Sequence, residues 1–244
     1  MIEPPLRKME IVKLLRKKHG LGAALEISTP STGQAFSELT DEVPDAHRLV
    51  YNCPGDADDE RPYTYRTDAT TSYELTNAVL TANGNAPCYD IIFVDPFHTY
   101  ASSSIDLSGG FALLRPGGIM VVHDCNPQDA SIASPAFTPG TWCGVTYMAF
   151  IDFTLCREGL RFYTVDTDFG CGVIYKHPPR ADTASHRPNG ARDRLAFAWD
   201  AARHDDATRF DFFAQHRRDL LNLKSVEEFA ALEGFSPAAV MTEG

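Results

Sequence analysis

Two nearly continuous apolar runs constrain the fold of this chain more than any other feature. Residues 89–95 read YDIIFVD and residues 118–123 read GIMVVH, with a helical pattern from Ser102 to Leu114 between them. Strands that are apolar on both faces are typical of parallel sheets covered by helices on both sides. The sequence Arg115-Pro116-Gly117-Gly118 is a turn signal before the second run. The pattern predicts a strand-helix-strand unit of a doubly wound, mostly parallel α/β sheet.

Weaker signals on both sides extend this unit. Strands are predicted at residues 23–28, 48–52, 161–166 and 171–176, the last two as an antiparallel hairpin at the sheet edge. Helices are predicted at residues 5–18, 146–156, 195–202, 210–221 and 226–232. We therefore divide the chain into an N-terminal amphipathic helix (1–22), a sheet domain (23–177) and a linker with a helical C-terminal extension (178–244).

The charge balance argues against several classes of partner. With 22 Lys and Arg against 33 Asp and Glu, the net charge of -11 opposes binding to nucleic acid or to anionic membranes. Six of the cations lie in the first 18 residues, on a helix face that we expect to be solvated and to be the one docking surface. No uncharged apolar stretch approaches the roughly 18 residues of a membrane span. Six scattered cysteines without a C-x-x-C pair indicate reduced thiols and a cytoplasmic protein, and a homo-oligomer stays open.

Polar side chains follow four of the predicted strands. These strand ends are Glu26 to Gly33, Cys53 to Asp56, Asp95 to Tyr100 and His123 to Pro127. In open parallel sheets, ligands bind outside the carboxyl ends of the strands. We therefore expect one polar cluster along this edge of the sheet.

The residues around the two apolar runs carry a resemblance. YDIIFVDPFHTY, a helix and then LLRPGGIMVVHDCNP resemble the late motifs of class I S-adenosylmethionine-dependent methyltransferases. TVDTDFGCGVIY and FFAQHRRDLLNLKSVEEF are similar to a bacterial branch of that family, and the similarity spans most of residues 23–230. The resemblance implies a Rossmann-like fold, S-adenosylmethionine as cofactor, and O-methylation of a small-molecule acceptor such as a sugar, glycan precursor or natural product.

The first strand-end loop departs from the family pattern. Where the family has E-x-G-x-G-x-G, Ser28, Pro30 and Thr32 stand at the glycine positions, and Cys53 stands where an acidic residue is usual. Hydroxyl groups can still donate to a carboxylate, but proline removes one N–H. The resemblance assigns cofactor binding to Glu26, Ser28, Thr29, Ser31, Gly33, Asp56, Asp95 and His123.

The later strand ends are expected to bind and activate the acceptor. His98 is the predicted base, because its imidazole titrates near neutral pH, with Asp95 and Asp124 orienting it; the alternative is that His98 only bonds a loop backbone. Tyr100 and Trp142 are expected to wall the acceptor pocket, and residues 127–145 to form a lid. Alternatively, Asp95, Asp124 and Asn126 hold Mg²⁺, which prefers oxygen ligands.

Two other functions stay open from the sequence. A non-catalytic methyltransferase-fold binding protein that has lost the methyl donor would account for the missing glycines and for Cys53. A hydrolase or other metal-dependent enzyme would use His98, Asp95 and Asp124 without the donor. The sequence contains neither a G-x-S-x-G elbow nor a P-loop, which disfavours the hydrolase.

Overall fold

A computed structural model describes residues 6–30, 36–53, 62–157, 159–176 and 189–240. The strands in these ranges are β1 (Ala24–Ser28), β2 (His47–Tyr51), β3 (Tyr65–Thr67), β4 (Tyr89–Asp95), β5 (Leu114–Val122), β6 (Arg161–Val165), β7 (Cys171–Tyr175) and β8 (Leu223–Lys224). The helices are α1 (Lys8–His19), α2 (Phe36–Glu42), α3 (Tyr73–Ala82), α4 (Tyr100–Leu113), α5 (Thr146–Leu155), α6 (Asn189–Ala202), α7 (Arg209–Leu220), α8 (Val226–Glu233) and α9 (Pro237–Val240).

The strands form one sheet in the order β3-β2-β1-β4-β5-β7-β6-β8. The first five strands of that order pair in parallel, β7 runs antiparallel to both β5 and β6, and β8 runs parallel to β6. This topology confirms the predicted α/β class, with its mostly parallel sheet and antiparallel hairpin. The hairpin is not the outermost element, however, because β8 lies beyond it. Strands of two or three residues such as β8 and β3 are too short to show alternation in sequence.

Apolar residues of the central strands are buried on both faces of the sheet. Ile92 and Val94 of β4 belong to one core cluster, and Ile91 and Phe93 belong to the other. The first cluster also contains residues of α3, α4 and α5, and the second contains residues of α1, α2 and α8. The expectation that helices cover both faces of β4 and β5 is therefore confirmed.

The first helix packs against the sheet instead of presenting a free basic surface. Its apolar residues Met9, Ile11, Val12 and Leu15 are buried in the second core cluster. Its cations meet acids of the fold: Lys13 lies 3.6 Å from Glu38, Arg16 lies 3.9 Å from Glu42 and Lys18 lies 2.6 Å from Glu233. Lys8 points into the polar cluster described below. Arg7, Lys17 and Lys18 are exposed, in keeping with a solvated face, and a docking role of this face stays a prediction.

The C-terminal extension also shares the core of the sheet. Trp199 of α6 and Phe213 of α7 are buried, and the Phe213 ring lies 4.3 Å from that of Tyr147. Tyr147 and Phe150 of α5 are core residues. Within the described ranges, none of the helices combines the length and the apolar character that crossing a membrane requires.

Candidate active site

A cavity of about 360 Å³ opens where β4 and β5 end. Three parts of the chain place charged side chains in its lining: Asp95 ends β4, Asp124 follows β5 and Lys8 begins α1. Asp168, in the β6–β7 turn, contacts the Lys8 backbone. Because β4 and β5 are parallel neighbours, their carboxyl ends meet at one edge of the sheet. The polar cluster predicted for this edge is therefore present.

His98 is held by its two ring nitrogens in different ways. Its Nδ1 lies 2.7 Å from the carbonyl oxygen of Trp142. A carbonyl can only accept a hydrogen bond, so Nδ1 carries a proton and donates it. The other nitrogen, Nε2, faces the cluster at 2.9 Å from Asp124 Oδ2 and 3.6 Å from Asp95 Oδ1. His98 thus bonds a loop backbone through Nδ1 while Nε2 faces two carboxylates, and its role as a base stays a prediction.

His123 and Lys8 complete the charge arrangement. His123 Nδ1 lies 3.1 Å from Asp124 Oδ2 and 3.4 Å from Asp95 Oδ1, and its Nε2 lies 3.6 Å from Asp168 Oδ1. Lys8 Nζ lies 2.7 Å from Asp95 Oδ2, while the Lys8 backbone N–H donates to Asp168 Oδ2 at 2.9 Å. The site therefore contains three carboxylates, each beside at least one of three nitrogen-bearing side chains: Asp95, Asp124 and Asp168 with Lys8, His98 and His123.

These neighbours shift the protonation of the buried groups. Burial alone lowers the pKa of His98, but the Asp124 and Asp95 carboxylates outweigh it and raise that pKa to about 9. For His123, Asp124 and Asp95 likewise overcome burial and raise the pKa well above its ordinary value. Burial raises the pKa of Asp95, but Lys8 and His123 hold it well below the usual range. The resting site therefore holds protonated imidazoles beside ionised carboxylates.

Uncommon backbone conformations occur at this site. Asp124, Asp168 and Phe169 have φ values of +59°, +45° and +59°, in the left-handed region that side chains other than glycine rarely adopt. Hydrogen bonds hold the two segments together, since Cys125 N donates to Gly170 O at 2.9 Å and Asn126 N donates to Phe169 O at 2.7 Å. Strain of this kind often marks functional sites.

Aromatic rings stand beside His98 at the cavity. The Trp142 ring centroid lies 5.3 Å from that of His98, 5.3 Å from Phe97 and 5.2 Å from Phe137. Trp142 Nε1 donates to Ser134 O at 2.8 Å, which fixes the indole. Trp142 lines the cavity, as expected, while Phe97 and Phe137 contact Trp142 without being among the lining residues.

The structure does not bring two predicted residues to the cavity. The Tyr100 hydroxyl donates to Asp152 Oδ2 at 2.6 Å, which ties α4 to α5 away from the lining residues. Asn126 Nδ2 donates to Asp166 Oδ1 at 2.9 Å, and its Oδ1 accepts from Arg217 at 3.1 Å. Among the His, Cys, Asp and Glu residues described, Asp95, His98 and Asp124 could bind a metal ion, since their ligand atoms lie within 4.8 Å of one another. The Asn126 amide joins the segment after β5 to α7, and its role as a Mg²⁺ ligand stays a prediction.

The predicted cofactor residues of β1 form a buried cluster. Glu26 Oε1 accepts from Ser28 Oγ at 2.8 Å and from Arg48 Nε at 3.3 Å, and Arg48 Nη2 donates to Thr29 O at 3.3 Å. Burial raises the pKa of Glu26 to about 7, although Arg48 opposes the shift. Sequence reasoning did not single out Arg48, although a charged residue inside an apolar strand was the available signal. Ser31, Gly33 and Asp56 lie outside the described residues.

A second buried carboxyl group, also not predicted, supports the loop that carries His98. Tyr51 Oη accepts from Phe97 N at 2.8 Å and donates to Asp106 Oδ2 at 2.6 Å, while Ser72 Oγ donates to Asp106 Oδ1. Burial raises the pKa of Asp106 to about 7. These contacts connect β2 and α4 to the backbone beside His98.

Comparisons with known proteins found similar solved structures only. No protein-family profile and no curated protein matches the chain. The O-methyltransferase TomG of Streptomyces achromogenes, involved in tomaymycin synthesis and solved with SAM, is 15% identical over 69% of this chain and 79% of its own, with a TM-score of 0.47. An O-methyltransferase of Bacillus cereus in complex with SAH is 12% identical over 68% and 79%, with a TM-score of 0.45. A Corynebacterium glutamicum protein is 14% identical over 74% and 86%, with a TM-score of 0.46.

Proposed function

We propose that this chain is an S-adenosylmethionine-dependent O-methyltransferase for a small hydroxylated acceptor, of the sugar, glycan-precursor or natural-product class, acting in the cytoplasm without a nucleic-acid partner. One observation carries the proposal. His98, in the motif YDIIFVDPFHTY, aims Nε2 at Asp124 of the motif VVHDCNP, at the ends of adjacent parallel strands. A base oriented by a carboxylate beside a cavity is the arrangement that removes a proton from a hydroxyl group.

The residues beneath the first loop fit a donor with a cationic group. Glu26 Oε2 is buried and has no hydrogen-bond partner among the described residues. A buried carboxylate oxygen without a partner is costly, and an ammonium group such as the amino group of S-adenosylmethionine would satisfy it. When bound, the donor supplies a methyl group on a sulfonium. Glu26, Ser28 and Thr29 would hold its amino-acid end.

His98 performs the proton transfer in this proposal. Its Nδ1 keeps the bond to Trp142 O, so the ring cannot turn over, and Nε2 accepts the proton of the acceptor hydroxyl. Asp124 then stabilises the imidazolium that forms. The acceptor oxygen gains nucleophilicity as its proton leaves, and the aromatic residues around Trp142 fix its orientation.

Calorimetry with S-adenosylmethionine and S-adenosylhomocysteine tests the donor half. We expect both to bind below millimolar concentration, with Glu26→Gln weakening the binding. A folded protein that binds neither would contradict the proposal. In that case the non-catalytic binding protein becomes the better account, since the Ser28 hydroxyl already donates to Glu26 instead of facing a ligand.

A further inference from the structure

The group formed by Asp95, His98 and Asp124 has the composition of a divalent-cation site but not the surroundings of one. Its three ligand atoms lie within 4.8 Å of one another. Lys8 Nζ, however, contacts Asp95 Oδ2 at 2.7 Å, and His123 Nδ1 lies 3.1 Å from Asp124 Oδ2. A divalent cation bound here would have to sit beside an ammonium group in a poorly screened position. The residues present therefore do not fit a hard metal ion.

Lys8 is fixed in this position by its backbone as well as by its side chain. The Lys8 N–H donates to Asp168 Oδ2 at 2.9 Å, and the carbonyl of Leu6 accepts from Thr167 Oγ1 at 2.6 Å. Leu6 and Met9 on either side are buried in the core. The first turn of α1 is therefore held against the β6–β7 turn, which keeps the Lys8 backbone beside the cluster.

The ammonium group also faces the cavity. Lys8 is one of the residues that line it, and the Lys8 side chain is only 23% exposed. An ammonium group has three protons, and among the described contacts Asp95 takes one. The others can point to a ligand in the cavity. A metal ion in such a site would polarise the acceptor oxygen and balance the carboxylates, and Lys8 has the charge and the position for both.

We infer that Lys8 is the resident cation of this site: its ammonium group, held on Asp95 Oδ2, supplies the positive charge that a divalent metal would bring, donates to the acceptor oxygen and makes the reaction independent of metal. The catalytic part of this inference rests on the proposed function. The exclusion of metal from the site depends on the contacts of Lys8 with Asp95 and of His123 with Asp124, and not on the proposed function.

Binding of Mn²⁺, followed by electron paramagnetic resonance, tests the exclusion without donor or acceptor. We expect the wild-type protein to bind no Mn²⁺ at the site at submillimolar concentration. Lys8→Ala should gain a Mn²⁺ site, and adding Asp95→Asn to Lys8→Ala should remove that site. Lys8→Arg should remain without a Mn²⁺ site. Lys13→Ala is the matched control, because Lys13 lies on the same helix and pairs with Glu38. Asp95-dependent binding by the wild type, or no binding by a folded Lys8→Ala protein, would overturn the inference.

Turnover tests the catalytic part. A chelator should leave wild-type turnover unchanged, and Lys8→Ala should lower kcat on the order of 10²-fold, as loss of one positioned donor to a developing oxyanion does. Lys8→Arg should retain more activity than Lys8→Ala, and Lys13→Ala should retain all of it. Loss of activity on chelation would refute metal independence. If no acceptor is turned over at all, the proposed function fails while the Mn²⁺ experiment still decides the identity of the cation.

Discussion

His98 has a different partner on each ring nitrogen, and this asymmetry defines its chemistry. The Trp142 carbonyl fixes Nδ1 as a donor, so only Nε2 can gain or lose a proton during a reaction. Nε2 faces Asp124 and Asp95, and their charges raise the pKa of His98 to about 9. A protonated imidazole cannot act as a base. The same carboxylates that orient His98 would therefore limit its action as the proposed base at neutral pH.

The pH profile of turnover should show this limit. We expect kcat to rise about tenfold per pH unit below pH 9 and to level off above it, because His98 must first lose its proton. Asp124→Asn should shift the rising limb to lower pH, since the carboxylate that favours the imidazolium is gone, and should reduce the maximal rate. A pH-rate series on the two proteins measures both effects. A profile that is flat from pH 6 to pH 9 would contradict the role of His98.

Some residues of the site could be predicted from the sequence and others could not. Asp95 and Asp124 were predictable, because each follows an apolar strand whose end is clear. Lys8 was not, since an amphipathic pattern does not reveal which of several cations on a helix turns inward. Asn126 does not line the cavity, because the left-handed conformation of Asp124 turns the chain after β5, and no sequence signal indicates φ at an aspartate. Asp168 Oδ1, in the β6–β7 turn, lies 3.6 Å from His123 Nε2.

At the scale of elements, residues 127–145 form a folded wall of the site. Gly144 N and Cys143 N donate to Ile132 O at 3.0 and 2.8 Å, and Val145 N donates to His98 O at 2.8 Å. The segment is therefore held by hydrogen bonds within itself and is also hydrogen-bonded to the loop that carries His98. That it opens as a lid stays a prediction, and its contribution in the structure is to position Trp142.

Gly144 is the position where this wall meets the His98 loop most closely. It has a φ of +55°, and a Cβ there would collide with the His98 carbonyl. We expect Gly144→Ala to displace His98 and to lower turnover at least tenfold. Gly140→Ala is the control, because Gly140 has a φ of +98° in the same segment but a Cβ there would meet nothing within 4 Å. Turnover and thermal unfolding of both variants are measured, because backbone strain affects both glycines and the collision affects only Gly144. Equal losses of turnover in the two variants would contradict the predicted contact.

At the scale of the molecule, one buried carboxylate joins both chain ends to the sheet. Glu233 of α8 accepts from Lys18 of α1 at 2.6 Å, from Tyr175 of β7 at 2.8 Å and from Tyr163 of β6 at 3.0 Å. Burial raises the pKa of Glu233, but Lys18 and the tyrosine hydroxyls hold it below the usual value. Three parts of the chain that sequence reasoning separated therefore meet at one residue. The division at residues 22 and 177 stays a prediction.

Loss of this carboxylate should destabilise the whole fold. We expect Glu233→Gln to lower the free energy of unfolding at pH 7 by roughly 2 kcal/mol, because buried donors lose a charged acceptor. The folded state favours the ionised form of Glu233. The difference in unfolding free energy between the wild type and Glu233→Gln should therefore be full above the ordinary carboxyl pKa and should shrink as the pH falls through the lower pKa of the folded state. Urea unfolding at pH 7 and pH 4 measures it, with exposed Glu74→Gln as the control. A larger difference at pH 4 would contradict this.

The sheet could be predicted further than the site. Long buried strands such as β4 and β5 are predictable from their apolar composition. The formation of β8 instead depends on how α7 and α8 are placed against β6. The buried ion pair of Arg48 and Glu26 likewise depends on the parallel register of β1 and β2, which places these two residues opposite each other. Strand register and long-range contacts of this kind cannot be predicted from the local sequence pattern.

The central claim is that His98 is the base of a methyl transfer. Its most direct test is transfer of a labelled methyl group from S-adenosylmethionine to a panel of hydroxylated sugars and natural products, by the wild type, His98→Ala and the control His204→Ala, which removes an exposed histidine. We predict that His98→Ala abolishes transfer while donor affinity by calorimetry is unchanged, and that His204→Ala behaves as the wild type. Undiminished transfer by His98→Ala would contradict the account.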